Sequence, residues 1–371
     1  MNIPMVDLKV QYKKYKHDFD NAVINVMEST SFILGPEVQA FEKEMADYSK
    51  SKYSFGVASG TDALLIALLA LKIGAGDEVI VPAFTFIATS EVVSRTGATP
   101  IFADVNPDTF NIDIESARKK ITSKTKAIIP VHLYGQSADM DACMALAKEH
   151  NLFVVEDCAQ SQGAQWKGQK VGTIGDIGCF SFFPSKNLGG YGDGGMILTN
   201  RDDLVDTIKA LRNHGSFERY YHLLHGFNSR LDSMQAAILR VKLTHIEEWN
   251  KMRRDAAYRY TEGLKNTPYT PPADKNEGIG HVYHQYTIKV PSKRNELQKF
   301  LAEKGVSSMI YYPLSLHKQD VYKDLGYKNG DFPASESLED QVLSLPMYPE
   351  ITKEQTDYVI EALKEFAKNN F

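Results

Sequence analysis

The chain has 371 residues, 43% of them hydrophobic and 24% charged, and a formal net charge of -5. This composition is typical of a globular protein with a sizeable core, and the negative charge argues against a nucleic-acid partner. The N-terminus shows no signal-like region and no apolar run is long enough to span a membrane. We therefore expect a soluble, cytoplasmic protein without a membrane partner. Three widely spaced cysteines argue against a disulfide framework and against a thiolate zinc site.

The first half of the chain alternates between helical and strand-like segments. Apolar residues spaced near 3.6 over residues 8–28 predict one amphipathic helix. Seven later runs have the length and composition of strands, at residues 54–57, 78–81, 100–103, 127–130, 152–155, 177–182 and 196–199. Because most of these runs are apolar throughout, both faces of the sheet must be covered. The predicted fold class is α/β, an α/β/α sandwich with a mostly parallel seven-stranded sheet.

The alternation stops near residue 230. Residues from Asp232 to Gln235 resemble a capping box, which would open a long helix that continues past Trp249. After a proline-containing break, a smaller α+β unit closes the chain, with a strand near 286–290 and a terminal helix over 353–366. We therefore expect a large domain of residues 1–245 and a small C-terminal domain of residues 246–371.

Lys186 lies in an aromatic, glycine-rich turn between two strand candidates. Desolvation there would lower the pKa of its ammonium group and make a nucleophilic amine, and such amines form Schiff bases with carbonyl compounds. The hypothesis is that Lys186 carries pyridoxal 5′-phosphate (PLP). A solvated loop lysine is the alternative for this segment taken alone.

A possible phosphate site follows the first strand candidate. Gly60 lets the backbone turn closely into a helix, whose free N–H groups and dipole attract anions, and Thr61 adds a hydroxyl group. The alternative is a plain helix cap by Ser59 or Thr61. Ser181 is a further candidate phosphate ligand, or simply a small residue inside a strand.

Other candidates follow the remaining strand candidates. Asp157 stands one residue closer to the strand end than Glu156, at the edge where open α/β sheets bind ligands. A carboxylate there could keep a proton on the pyridine nitrogen of PLP, although it could also bind Mg²⁺ or cap a helix. Phe84 or Phe86 could lie flat on the ring, or belong to the core.

Two histidine pairs have the spacing of possible metal ligands. These are His222 with His225 and His281 with His284. No cysteine or acid pair completes either set, so we interpret them as surface or interface histidines and expect no metal site.

Five segments together resemble the DegT family of nucleotide-sugar aminotransferases. They are G-T-D-A-L, P-A-F-T-F-I-A-T, E-D-C-A-Q-S, S-F-F-P-S-K-N-L-G and G-F-N-S-R-L-D-S-M-Q-A-A. The resemblance runs in order from about residue 5 to residue 350. It implies the type I fold of PLP-dependent transferases, PLP as the cofactor, and a homodimer that shares its active sites.

The resemblance also implies roles for single residues. Lys186 would form the Schiff base, Asp157 would pair with the ring nitrogen, Phe86 would stack on the ring, and Gln160 would contact it.

Further residues are placed at the phosphate and the sugar by the same resemblance. The phosphate ligands correspond to Thr61, Asp62 (largely through its backbone) and Ser181, joined by Asn228 from the neighbouring subunit. Tyr312 and His317 match the family's sugar-site segment more loosely.

The activity implied is transfer of an amino group from L-glutamate to a nucleotide-linked keto sugar, in two half-reactions. Phe183 and the N-S-R sequence at 228–230 are more similar to members that aminate C-3, which favours a dTDP-3-keto-6-deoxyhexose. Retention of Lys186 argues against the dehydratase branch of the family. The alternatives are amination at C-4 of a UDP- or dTDP-linked sugar and a PLP-binding sensor without activity. A nicotinamide-dependent oxidoreductase would need G-x-G-x-x-G after the first strand, which this chain lacks.

Overall fold

The computed structural model describes residues 1–218, 220–274 and 280–371. Its strands are β1 (Tyr53–Val57), β2 (Glu78–Pro82), β3 (Thr99–Ala103), β4 (Thr125–Ile128), β5 (Phe153–Asp157), β6 (Gln165–Trp166), β7 (Gln169–Lys170), β8 (Ile177–Ser181), β9 (Gly195–Thr199), β10 (Ser216–Glu218), β11 (Tyr221–His222), β12 (Tyr286–Lys289) and β13 (Val342–Leu345). Its α-helices are α1 (Leu8–Lys14), α2 (Lys16–Ser29), α3 (Pro36–Ser49), α4 (Gly60–Ala70), α5 (Ala88–Arg95), α6 (Ile114–Arg118), α7 (Met140–His150), α8 (Val205–Leu211), α9 (Ser233–Leu243), α10 (Ile246–Gly263), α11 (Arg294–Glu303), α12 (Pro333–Gln341) and α13 (Lys353–Asn370).

Seven strands form the central sheet in the order β1-β9-β8-β5-β4-β2-β3. Within this sheet, β9 runs antiparallel to its neighbours β1 and β8, and all other neighbouring strands are parallel. The prediction of a mostly parallel seven-stranded sheet is confirmed. Six strands run in one direction, so their carboxyl ends lie at one edge of the sheet, where ligands bind in such folds.

Helices cover both faces of the sheet. On β2, Val79 and Val81 belong to the apolar cluster that includes α4 and α5. Ile80, between them, belongs to a separate cluster with residues of α7. Because neighbouring residues of a strand point to opposite faces, this alternation requires two covering layers. The predicted α/β/α sandwich is therefore confirmed.

The last third of the chain builds its own apolar cluster around the β12–β13 pair, with α10, α11 and α13. The prediction of one long helix that continues past Trp249 is wrong in one respect. The structure has two helices there, α9 and α10, separated at residues 244–245. This break falls where we placed the domain boundary. The division into residues 1–245 and 246–371 stays a prediction.

Three other local expectations are corrected. The helix predicted over 8–28 is two helices, α1 and α2, with Tyr15 between them. The predicted capping box is absent: Asp232 caps α9 without a side-chain hydrogen bond, and the Gln235 side chain accepts from the N–H of Tyr191 at 2.8 Å. His281 and His284 are 1% and 4% exposed, so they are buried and not surface histidines. Within the described residues, no helix is both long and apolar enough to cross a membrane.

Candidate active site

A cavity of about 380 Å³ opens at the carboxyl edge of the parallel strands. The segments that follow β1, β2, β5 and β8 supply most of its lining, as the topology of the sheet requires. Predicted site residues that line it are Gly60, Thr61, Phe86, Asp157, Gln160, Ser181, Lys186 and Tyr312. Residues far apart in the sequence therefore meet in one place.

One end of the cavity is suited to an anion. Helix α4 begins at Gly60, and the first turn of a helix has N–H groups without acceptors inside the helix. The hydroxyl-bearing residues Thr61 and Ser181 line the same cavity. A Cβ atom at Gly60 would lie 2.6 Å from the Cβ of Ser181, so only glycine allows the helix to start this close to β8.

Asp62 does not line this cavity with its neighbours. Its N–H donates to the Oγ of Ser59 at 3.1 Å, which is the N-cap bond of α4. Its carboxylate accepts from the Oγ of Ser229 at 2.7 Å, and that hydroxyl also accepts from the N–H of Ala58. Both groups of Asp62 are therefore used to hold the protein together, and the structure does not support the phosphate contact expected of it.

Asp157 and Glu156 face opposite sides of the sheet. The Glu156 carboxylate accepts from the N–H groups of Gly172, Ile174 and Gly175 at 2.7–2.8 Å, so it anchors a loop. Asp157 lines the cavity, with Oδ2 accepting from Thr89 at 2.8 Å and Oδ1 accepting from the N–H of Ala159 at 3.1 Å. Burial raises the pKa of Asp157, while these two donors oppose the shift. The choice of Asp157 over Glu156 follows from the alternation of the strand.

Lys186 lies in the turn between β8 and β9. Its N–H donates to the carbonyl of Phe183 at 2.8 Å, and the N–H of Gly190 donates to that of Phe182 at 2.7 Å, which closes the turn. The Lys186 side chain lines the cavity, and burial lowers its pKa to about 8 while the charge of Asp157 opposes this shift. A fraction of the amine is therefore unprotonated near neutral pH, as a nucleophile requires.

The structure separates the two candidate aromatic residues. Phe84 is 1% exposed and belongs to the core, whereas Phe86 is 54% exposed and lines the cavity. The ring centroid of Phe86 lies 6.2 Å from that of Tyr312. The Gln160 side chain accepts from the N–H of Tyr134 at 2.7 Å and donates to the hydroxyl of Tyr312 at 3.3 Å, so its orientation is determined.

Two more predicted residues, His317 and Asn228, lie outside the cavity. The His317 side chain is fully buried, with Nε2 at 3.2 Å from Glu336 and its ring centroid 4.6 Å from that of Phe332. It packs in the interior because the segment that carries it is joined to the end of β2 by the Leu316 N–H to Ala83 carbonyl bond. The sugar contact expected of His317 is therefore not supported. Asn228 is exposed in this chain, and its predicted place in the partner's site stays a prediction.

His284 is a cavity residue that the sequence interpretation missed. The Asn187 amide donates to Asn250 Oδ1 at 2.8 Å and to the carbonyl of Val282 at 3.0 Å, so its oxygen faces Nδ1 of His284 at 3.2 Å. Nδ1 must therefore carry the proton, and Nε2 presents a lone pair. Burial, with the charge of Lys186, lowers the pKa of His284 well below its usual value. Its position beside the aromatic run at 282–286 was the only available signal.

His132, Glu156 and Cys158 form a buried group with ligand atoms within 4.8 Å of one another. The N–H of Ala138 donates to Nδ1 of His132 at 3.0 Å, so Nε2 carries the proton and donates to Glu156. With both ring nitrogens in hydrogen bonds, this group is explained as a structural support for β5.

A cavity with one amine, one buried carboxylate and a helix N-terminus defines a site for a carbonyl cofactor that carries an anionic group. The model of the DegT/DnrJ/EryC1/StrS aminotransferase family matches residues 13–364. The chain belongs to this family.

Three curated relatives match nearly the whole chain. A "Pleiotropic regulatory protein" of Geobacillus stearothermophilus is 50% identical over all of both chains. A UDP-N-acetyl-3-dehydro-alpha-D-glucosamine 3-aminotransferase of Acidithiobacillus ferrooxidans is 48% identical over 95% of each. A dTDP-3-amino-3,6-dideoxy-alpha-D-galactopyranose transaminase of Aneurinibacillus thermoaerophilus is 43% identical, over 98% of this chain and 99% of the relative.

Solved structures are similar throughout. DesV of S. venezuelae has a TM-score of 0.96 and 41% identity, with 99% of each chain covered. The NtdA protein of Bacillus subtilis, solved with bound cofactor PMP, has a TM-score of 0.89 and 34% identity, over 96% of this chain and 82% of that one. The predicted type I fold of PLP-dependent transferases is confirmed.

Proposed function

We propose that this protein is a PLP-dependent aminotransferase that moves an amino group from L-glutamate to C-3 of a nucleotide-linked keto sugar. One observation carries the proposal: Lys186, Asp157 and the N-terminus of α4 line a single cavity. These are the amine, the carboxylate and the anion site that PLP requires.

The residues of the cavity fit PLP. Thr61, Ser181 and the first N–H groups of α4 would hold the phosphate, close to Gly60, where a side chain would fill the space. Phe86 would stack on the ring and Gln160 would contact its edge. Among the described residues that line the cavity, Lys186 is the only Lys or Arg, so its amine has no competing cation beside it.

The chain's own groups would carry the proton transfers. When bound, PLP supplies an electron sink for the carbanion that forms when the donor's Cα loses a proton. Lys186 Nζ, with a pKa of about 8, is suited to accept that proton near neutral pH. In the second half-reaction the same atom would deliver a proton to C-3 of the sugar. The Asp157 carboxylate, held by Thr89 and Ala159, would keep a proton on the ring nitrogen.

The names of the relatives support a 3-keto sugar. The relatives at 48% and 43% identity are named for 3-amino sugars, one linked to UDP and the other to dTDP. The sequence favours a dTDP-3-keto-6-deoxyhexose, and a UDP-linked sugar is the second candidate. Tyr312, which lines the cavity beside Phe86, is the proposed contact to the sugar.

A regulatory role is the second candidate, because the relative at 50% identity is named as a regulatory protein. A sensor would need to bind the cofactor but would not need an amine that is free to exchange protons. The lowered pKa of Lys186 supports the enzyme instead.

We also propose that the active unit is a homodimer. Strands β10 and β11 and the residue that follows them expose large apolar side chains, with Phe217, Tyr221 and Leu223 being 50%, 67% and 76% exposed. Asn228 follows this segment and is exposed as well. A second copy of the chain would cover the apolar surface and receive Asn228 at its phosphate site.

Two measurements test the activity. Incubation with PLP, borohydride reduction and peptide mass spectrometry should place a pyridoxyl group on Lys186. In a separate assay, the purified protein with PLP should release more than one equivalent of 2-oxoglutarate per site from L-glutamate only when a 3-keto nucleotide sugar is present, with the matching 4-keto sugar as control. Cofactor labelling without continued release of 2-oxoglutarate in the presence of either sugar would favour the sensor. Faster release with the 4-keto sugar than with the 3-keto sugar would overturn the C-3 assignment.

Mixed dimers test the shared site. If Asn228 serves the partner, mixing inactive Lys186→Ala chains with inactive Asn228→Ala chains gives heterodimers with one intact site each. Random pairing would restore about a quarter of the wild-type activity. If Asn228 serves its own chain, every site in the mixture is damaged and no activity returns.

A further inference from the structure

Thr89 makes a buried hydrogen bond to Asp157 that no predicted role explains. Its hydroxyl donates to Asp157 Oδ2 at 2.8 Å, and the two residues are 0% and 5% exposed. Thr89 lies in the first turn of α5, and Asp157 is the last residue of β5. The bond therefore joins a helix to a strand of the central sheet. The bond brings a hydroxyl group directly to the acid of the cavity.

The surroundings of Asp157 offer few other stabilising partners for a negative charge. Oδ1 accepts from the N–H of Ala159 at 3.1 Å, and the Thr89 hydroxyl is the side-chain donor on Oδ2. Both donors favour the ionised carboxylate, because a carboxylate accepts hydrogen bonds through both oxygens. Burial acts in the opposite direction and raises the pKa of Asp157.

The charged and titratable groups that face Asp157 come from several elements. Lys186, in the turn after β8, acts on the carboxylate through its charge, and His132, after β4, also lies near it. The other titratable neighbours are Tyr312, Cys158 and Cys179, and burial raises the pKa of each, which keeps them neutral near pH 7. The nitrogens of His132 are both in hydrogen bonds, with the N–H of Ala138 and with Glu156. Of these described neighbours, Lys186 has a pKa lowered to about 8, so its charge changes near neutral pH, whereas Thr89 gives a contribution that does not depend on pH.

The environment of Thr89 keeps its hydroxyl available as a donor. The nearest other hydroxyl, Thr85 Oγ1, lies 3.5 Å away, too far for a strong competing bond. Thr85 lines the cavity, whereas Thr89 lies behind it. Thr89 can therefore act on a bound cofactor only through Asp157.

We propose that Thr89 is a positioning residue, which favours the ionised form of Asp157 and fixes the orientation of the carboxylate that would pair with the ring nitrogen of the cofactor. This inference rests on the proposed function for its consequence, but the contact itself belongs to the protein without cofactor. A methyl group in place of the hydroxyl leaves the side-chain shape nearly unchanged and removes the donor.

The test compares Thr89→Val with Thr89→Ser in the full-length protein. In the cofactor-free protein labelled with ¹³C at aspartate carboxyls, the Asp157 signal is assigned by its loss in Asp157→Asn. Loss of a hydrogen bond to a charged group should raise the pKa of Asp157 by about one to two units in Thr89→Val. Thr89→Ser, which keeps the hydroxyl, should restore the wild-type titration.

A matched control removes another buried threonine hydroxyl. Thr199 is 2% exposed and donates to the carbonyl of Asp176 at 2.8 Å, at the opposite end of β9. Thr199→Val should lower stability without moving the titration of Asp157. If Thr89→Val fails to fold, Thr89→Ala provides the same loss of donor with a smaller side chain.

Cofactor binding supplies the second measurement. The pH below which PLP affinity falls should move upward in Thr89→Val by the same amount as the Asp157 titration, and should return in Thr89→Ser. An unchanged Asp157 titration in Thr89→Val would overturn the inference, even if the wild-type protein is an aminotransferase. A shifted titration in a protein that does not bind PLP would leave the contact established and reject the proposed function instead.

Discussion

Among the described residues, Lys186 and Lys242 have pKa values that burial lowers by several units, and only Lys186 lines the cavity. Lys186 lines the cavity beside Asp157, and burial lowers its pKa to about 8. Lys242, on α9, is 1% exposed, and burial lowers its pKa to about 7. The Lys242 Nζ donates to the carbonyl of Gly189 at 2.7 Å and lies 4.3 Å from the ring centroid of Tyr191.

The comparison shows that a low pKa does not by itself identify a catalytic amine. Lys242 has the larger shift, yet it is enclosed by protein and its Nζ is bound to a backbone carbonyl. Lys186 has a smaller shift but lies in an open cavity beside a carboxylate. Lys242 supports the catalytic turn from behind, because Gly189 belongs to the turn that carries Lys186. Access and neighbours decide the role, and the pKa follows from burial in both places.

Replacing each lysine by methionine separates the two roles and gives the largest expected effect. Lys186→Met should lower transamination by at least about 10³-fold, because both the Schiff-base amine and the proton carrier are lost. Lys242→Met should lower it less than about tenfold, through a looser turn. The measurement is 2-oxoglutarate release at saturating PLP. Similar losses in both variants would show that the two lysines act as one unit.

The two neighbouring acids extend the same comparison. Asp157→Asn should lower turnover by about 10²–10³-fold, because the amide cannot keep a proton on the ring nitrogen. Glu156→Gln should leave turnover per folded molecule near normal but lower the free energy of unfolding by about 2 kcal/mol, since Glu156 accepts three backbone N–H bonds. Urea unfolding and activity assays on both variants provide the check. A catalytic loss in Glu156→Gln at full stability would contradict the assignment.

The dependence of stability on pH tests the lysines without any cofactor. Between pH 8 and 10.5 the folded protein has released the proton of Lys186 while the unfolded chain still holds it, so stability rises with pH across that window. The full shift corresponds to about 3 kcal/mol, and solvent in the open cavity should reduce this to about 2 kcal/mol. In Lys186→Met, the free energy of unfolding at pH 7 should be higher by that amount, and its rise between pH 8 and 10.5 should disappear.

Lys242 supplies the control for that measurement, because its own window begins lower, near pH 7. The free energy of unfolding of Lys242→Met should therefore not rise between pH 7 and 8. In Lys186→Met, which keeps Lys242, it should still rise in that range. Urea midpoints at half-unit pH intervals resolve the two windows. Identical slopes in wild type and both variants would show that neither lysine is desolvated in solution.

The smallest expected effect concerns His284. Its Nδ1 carries the proton and its pKa lies well below the usual value, so its ring signals should not titrate between pH 5.5 and 8. A titration of His284 in this range would contradict the lowering of its pKa by burial.

The sequence alone determined the layers of the fold, because each strand is specified by its own local composition. The seven strands of the sheet start and end within two residues of the predicted bounds. The sequence also predicted that Gly60, Asp157 and Lys186 belong to one site. Each stands at or just after the end of a strand, and the carboxyl ends of parallel strands meet at one edge of the sheet. The resemblance then made their roles specific.

Only the tertiary structure decided where side chains point. It directed Gln235 to the turn after Lys186 instead of to its own helix N-terminus, buried His317 away from the cavity, and brought His284 into it. It also joined Thr89 to Asp157 across 68 residues of sequence. A local pattern specifies which residues share a face of a helix or strand. The partner on that face depends on how distant elements pack, and no sequence spacing encodes that.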